Sequence, residues 1–449
     1  MLTVLIHSPL ASPHKSAPLD RPIGLLHASA MVVGIIIGAS IFVQPSEINR
    51  HVPTFAGVLS VWGVAGVLTL LGSLVCAEMS SVFPQTGGVY VFLKETVATP
   101  VGFLWGWAMF WSAHSGIIAA SSVILARYVA FFFPLGDTGI RAAAITAILL
   151  LSFINYLGVR QGSRLQTAVT LLKVAAIVLL LGMVLVWTRA HPLAVTGTPS
   201  PGAVSARDFI LGVSAALFAF GGWHMVTYTA GETRDPSRTI PRALWIGSVV
   251  VTAAYIALNA AYLNILPLGR VVSSTRVAAD AAQVVAGPRG AAAISALVIL
   301  SAVGVLNGVI LAGPRTYFAM AEQGMAFRWL AAIHPRFHTP HRTILVQAVW
   351  SSVLVATGTY RALFTRVVYT EWLFFALLTV GLARLRRTPA YAPPYRIWGY
   401  PIAPLVFAVA AVTVAVVTIA ADPVQAATGL GIVMLGLPVY YIWIAHARH

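Results

Sequence analysis

The sequence predicts an all-α, polytopic membrane protein of twelve transmembrane helices, arranged as a 5+5 inverted repeat in which helices 1 and 6 are discontinuous. Three observations carry this. Of 449 residues 59% are hydrophobic and 9% charged, with mean hydropathy +0.86, whereas about a quarter of a soluble domain is charged. Apolar stretches of roughly 20 residues, the thickness of a bilayer core, recur along most of the chain. Two of them hold small residues at their centres: 34–45 reads GIIIGASIFVQP and 218–223 reads FAFGGW.

The charge of +16 would suggest nucleic acid in a soluble protein. In a membrane protein it has another reading, because cationic side chains in short connections fix orientation. With a cytoplasmic N-terminus, 16 of the 28 basic residues fall inside and ten outside. Both termini are therefore expected in the cytoplasm, with the chain in the plasma (inner) membrane and no nucleic acid as partner. Residues 1–20, rich in Pro and Ser, read as a cytoplasmic tail rather than a cleaved signal. Cys76 is the only cysteine, so no intrachain disulfide can form.

The elements follow in order. Span 1 covers about residues 23–43 and is interrupted at Gly38, Ala39 and Ser40; a packing face of small residues is the alternative reading of its glycines. Span 2, 57–83, carries Cys76 and Glu78 near its inner end. A Pro-Gly-Gly turn and a short amphipathic piece at the cytoplasmic surface, ending at Glu95, precede span 3, 101–133. Spans 4 and 5 cover 141–158 and 165–187. An outer loop leads to span 6, 208–230, interrupted at Phe220, Gly221 and Gly222. A charged inner loop, 231–241, precedes span 7, 243–265. A polar outer segment, 270–290, is a candidate lid. Spans 8 to 12 lie near 291–320, 343–357, 365–383, 402–421 and 429–444.

Spans 1 to 5 (21–190) and 6 to 10 (207–387) make two halves that each open on a broken helix, followed by spans 11 and 12 (396–449). Five spans per half invert the second half relative to the first, the plan of secondary transporters with a midplane site. A broken helix offers unpaired N–H groups to an anion and unpaired C=O groups to a cation. A free amino acid is both.

Lys173 stands in an apolar run of span 5. A lysine inside lipid is expensive and reads as functional, with snorkelling from the inner end as the alternative. His224 could line a pocket, though a hydrogen-bonded interior histidine is the stronger reading; His114 carries less information. Glu371 could relay protons or pair with Arg366. Arg315 could snorkel or pair with Glu322. Trp62, Trp105, Trp107, Trp111 and Trp187 fit an aromatic belt. No cluster of acids, bases or metal ligands supports an enzyme or a metal site, and no filter motif supports a channel.

Several ordered motifs resemble those of the amino acid–polyamine–organocation (APC) superfamily, most closely its L-type amino acid transporter-like members. They are GASIF at 38–42, Ala77-Glu78, FPQTGGVY at 83–90, QTAVTLLK at 166–173, FAFGGW at 218–223, ETRDPSRTIP at 232–241, EWLF at 371–374, and Pro394-Tyr395-Arg396 to Tyr400-Pro401. The resemblance implies a LeuT-like fold with spans 11 and 12 peripheral. It implies that the substrate carboxylate meets the N–H groups of Ala39 and Ser40, with Gly38 shaping the turn. The ammonium would meet carbonyls of Ile36, Phe218 and Gly221 beside Gly222, with the Phe218 ring closing over the ligand. Lys173 aligns with a lysine standing where sodium-coupled relatives bind sodium.

Two departures from the family pattern stand out. The first break reads Gly-Ala-Ser where the family commonly has Gly-Ser-Gly, and Gly324 lacks the usual following Pro. The Ser40 side chain takes space at the break, which points to small or medium neutral L-amino acids. The expected function is sodium-independent alternating access, by exchange; proton-coupled symport and polyamine or cationic amino acid transport are the alternatives. No cofactor is expected. Animal relatives tie a partner through an extracellular cysteine, and Cys76 lies inside span 2, so no covalently linked subunit is expected.

Overall fold

The central element is α1, Leu25–Ile36, whose buried residues include the run from Ala30 to Ile36. In a computed structural model describing residues 19–42, 44–190, 204–274, 276–359 and 369–447, it packs against three long helices from both halves of the chain. No strand occurs among the described residues.

After α1 come α2 (Gln44–His51), α3 (Phe55–Val82), α4 (Val89–Thr96), α5 (Thr99–Val129), α6 (Asp137–Tyr156) and α7 (Val159–Ala190). The second half opens with α8 (Ala206–Ala219), then α9 (Pro236–Ile265), α10 (Leu268–Ser273), α11 (Val277–Glu322), α12 (His341–Thr357) and α13 (Thr370–Arg386). The chain closes with α14 (Ile402–Ala421), α15 (Pro423–Met434) and α16 (Gly436–Ala447). Among the described residues nine helical stretches are long and apolar enough to cross a membrane, as a multi-pass membrane protein requires. The helices α1, α12 and α13 are shorter, at 12, 17 and 17 residues.

Several expectations are corrected by packing. The piece after span 2 packs its apolar side inward, with Val89 to Leu93 of α4 buried against α5 and α13, while Glu95 stays exposed. Trp62 and Trp105 are fully buried in the core rather than placed in a belt. The expected loop up to Pro241 is helical from Pro236, and Pro241 sits inside α9. Pro236 suits the first turn, where an amide lacks an intrahelical acceptor anyway. The polar outer segment and span 8 join in α11 across a bend at Gly287, whose φ of 61° and ψ of −150° suit glycine. Span 12 falls within the single apolar stretch Pro423–Ala445, made of α15 and α16, and α2 follows the first interruption and ends at His51.

Two buried carboxylates tie the end of the bundle where α1 begins. Glu78 on α3 receives Arg386 Nε at 2.9 Å and Nη2 at 2.5 Å, the Tyr391 hydroxyl at 2.9 Å and the Ile397 amide at 2.7 Å. Burial, and then the Glu78 charge, hold the Tyr391 phenol above its usual range, so it remains a donor. Glu232 forms a two-pronged pair with Arg315 of α11, at 2.7 and 3.0 Å, with both side chains fully buried. Arg315 thus reaches Glu232 on another element rather than Glu322 on its own helix. The Glu232 carbonyl accepts from the Ile23 amide, and the Ile23 carbonyl accepts from Arg234, pinning the chain just before α1.

Candidate functional site

Helix α1 stops at Ile36 because Ile37 turns away, with ψ of 87°. A short 3-10 turn, Ala39–Phe42, then begins. The last carbonyls of a helix and the first amides of the next turn have no partner within their own segments. Here the carbonyls are met from neighbouring helices. Lys173 on α7 donates from Nζ to Gly34 O at 3.1 Å, to Ile37 O at 2.5 Å and to Ser301 O of α11 at 3.3 Å. Three acceptors match the three N–H bonds of an ammonium. The side chain is fully buried, so it points inward and does not snorkel.

Close packing makes room for this contact. A Cβ built on Gly304 would lie 2.8 Å from Lys173 Nζ, and one on Gly34 would lie 2.2 Å from Thr170 Oγ1 and 2.3 Å from Gln166 Nε2. Thr170 donates to Ala30 O at 3.0 Å. Beside it, Asn155 donates to Asn307 Oδ1 at 2.9 Å, and Asn307 donates to Gln166 Oε1 at 2.9 Å and Gly162 O at 3.1 Å. These amides lock α6, α7 and α11 together, since a polar group in a water-free interior needs its partner.

The second interruption lies alongside the first. Helix α8 ends at Ala219, Gly222 takes a left-handed φ of 92°, and a 3-10 helix runs from Trp223 to Glu232. A Cβ on Gly222 would come within 2.5 Å of Ile35, so glycine serves both the turn and the approach. Tyr255 on α9 bridges the two interruptions: its hydroxyl reaches Ile36 O at 2.9 Å and Ala219 O at 3.0 Å. The Phe220 ring packs edge-on against Tyr255 and tilted against Trp62.

The structure therefore brings Ile36, Gly38, Ala39 and Ser40 near Phe218, Gly221 and Gly222, with Lys173 behind the first interruption. Of these, the Ile36 carbonyl already holds Tyr255, and the Phe218 carbonyl accepts from Gly221 N at 3.3 Å. Phe218 and Gly221 are exposed, whereas Gly38 is buried. Sequence reasoning missed Tyr255, Asn155 and Asn307. A polar group in mid-span is the signal that could have found them, because it costs free energy unless it has a partner.

The remaining polar residues divide. His114 Nδ1 pairs with the Tyr317 hydroxyl at 2.9 Å. His224 is enclosed by the rings of Trp105, Trp223, Tyr228 and Phe375 at 5.0 to 5.6 Å. Neither of its ring nitrogens has a hydrogen-bond partner among the described residues, contrary to the expected bonded histidine. Glu371 is buried in the first turn of α13, and Arg366, its expected partner, lies outside the described residues. No group of three metal-ligating side chains occurs among the described residues.

Comparison with known sequences adds a second line of evidence. The family model described as amino acid permease matches residues 23–444. Serine/threonine exchanger SteT of Bacillus subtilis is 30% identical over 94% of this chain and 97% of its own length. The human large neutral amino acids transporter small subunit 2 is 29% identical over 95% of this chain and 81% of its own length. The human cystine/glutamate transporter is 26% identical, covering 95% and 86%.

Proposed function

Because this chain belongs to the amino acid permease family, we propose that it moves small or medium neutral L-amino acids across the plasma membrane by sodium-independent alternating access, chiefly by exchange. The proposal includes twelve spans in a 5+5 inverted repeat, cytoplasmic termini, no catalytic activity and no covalently attached subunit. The observation that carries it is the Lys173 ammonium seated on the orphan carbonyls of α1. There its N–H groups join α1, α7 and α11 through their carbonyls, so the fold needs no sodium ion to join them. The opposed interruptions supply the rest: amides at Ala39 and Ser40 for a carboxylate, and carbonyls at the ends of α1 and α8 for an amine. A Bacillus relative named for serine and threonine exchange agrees with a small side chain.

The test is uptake by proteoliposomes of the purified protein with a panel of labelled amino acids, varying internal amino acid, sodium and pH. Exchange predicts uptake that needs internal amino acid and is indifferent to sodium. A sodium requirement would overturn the Lys173 reading.

Proton symport is the second reading, favoured by the buried His224 that lacks a hydrogen-bond partner. It predicts uptake driven by an inward proton gradient without internal substrate, and loss of that drive in His224→Asn.

Gly304→Ala gives a finer check on the lysine seat. The new methyl would meet Nζ at 2.8 Å and push it from at least one carbonyl. Uptake is expected to fall several-fold at unchanged protein level, as about 1 kcal/mol per displaced hydrogen bond implies. Undiminished uptake would show that the seat tolerates displacement.

A further inference from the structure

A groove of about 470 Å³ runs along the outside of the bundle between α5 and α12, away from the paired interruptions. Trp111, Leu345, Val349 and Trp350 line it, and Trp329 and Arg342 line it at the end where α12 begins, its mouth. Trp350 donates its indole N–H to Trp111 O at 3.1 Å, which fixes both walls. From Arg342 to Trp350 the rise along α12 is roughly 12 Å. Val349 is 61% exposed, so the groove opens towards the surroundings of the helices, which are lipid.

The chain leading into Arg342 is cationic. Between Gln323 and Arg342 the chain carries Arg328, Arg336, Arg342, His334, His338 and His341, and no Asp or Glu. Arg328, Arg336 and Arg342 are exposed, and none is in an ion pair among the described residues. Arg336 lies over the Phe337 ring, and His338 faces Asp20 at 3.3 Å. Arg342 spends one N–H on the Trp329 carbonyl at 2.9 Å, which holds its guanidinium at the mouth with donors to spare.

An apolar channel long enough for much of one acyl chain, ending in a guanidinium outside any ion pair, is complementary to one molecule class present at every membrane surface. We infer that the groove binds an anionic phospholipid, with one acyl chain along α12 between Trp111 and Trp350 and the phosphate on Arg342 and Arg328. Arginine suits the phosphate because its planar fork can donate two parallel hydrogen bonds. Zwitterionic lipids fill the same channel but gain less at the mouth.

The tryptophans make the site observable. The protein, in nanodiscs of phosphatidylcholine, is titrated with acyl-brominated phosphatidylglycerol or with acyl-brominated phosphatidylcholine, and tryptophan fluorescence is followed. Each arginine near an anionic surface is worth about five-fold in local binding. Half-quenching is therefore expected at a mole fraction at least about five-fold lower for the glycerol lipid. Arg328→Gln/Arg342→Gln should erase the difference, and the corresponding Lys pair should keep most of it. Trp111→Phe/Trp350→Phe should remove the excess quenching while leaving the common background. Equal quenching by the two lipids in the wild type would overturn the inference, as would a preference that survives the Gln pair or the Phe pair.

Discussion

Replacing Lys173 with alanine is expected to abolish most uptake without removing the protein from the membrane. The side chain donates to Gly34 O, Ile37 O and Ser301 O from a fully buried position. Its loss leaves two carbonyls at the end of α1 without a donor, at a cost of about 1–3 kcal/mol. A bias of that size on a conformational equilibrium changes occupancy by about five- to 150-fold. Lys173→Met separates charge from bulk, because it keeps the length of the chain and removes the N–H groups. The expected result is transport near background in both variants at normal protein abundance. Wild-type-like uptake by Lys173→Ala would take the lysine out of the mechanism.

The second large effect belongs to the buried pair of Glu232 and Arg315. Both side chains are fully enclosed, so Glu232→Ala strands a guanidinium in the core. Breaking a buried pair by removing one partner costs about 3–5 kcal/mol, a large fraction of the 5–15 kcal/mol that holds a typical fold. The thermal midpoint of the purified protein should drop by roughly 3–5 °C. Glu232→Ala/Arg315→Met should recover part of this, because no unpaired charge remains. A double variant less stable than the sum of both singles would mean that the pair is not the source of the loss. The same end of the bundle also carries the Ile23 to Arg234 bridge, so loss of stability and a loosened start of α1 should appear together.

Some of this architecture was legible in the residues alone. Small residues inside an apolar run marked both interruptions, because a continuous helix has no need of Gly38 or of Gly221 and Gly222. Lys173 was legible for the opposite reason, an ionisable group where lipid would punish it. Its acceptors were not, since which carbonyls are orphaned depends on where α1 stops. The partner of Arg315 was hidden too: spacing along one helix pointed to Glu322, whereas the carboxylate it meets is 83 positions earlier and arrives by packing. Trp62 and Trp105 were misplaced because composition says that a ring is present and not which way it faces. The end of α2 and the bend at Gly287 were missed for a related reason, as polar residues packed on the bundle read like loop.

Tyr255 touches two carbonyls, Ile36 O and Ala219 O, with a hydroxyl that has a single proton to give. The two half-helices therefore compete for one rivet. A zwitterion whose amine claims the oxygen at Ile36 would hand that proton wholly to Ala219, so cargo arriving at the first half-helix would tighten the grip on the second.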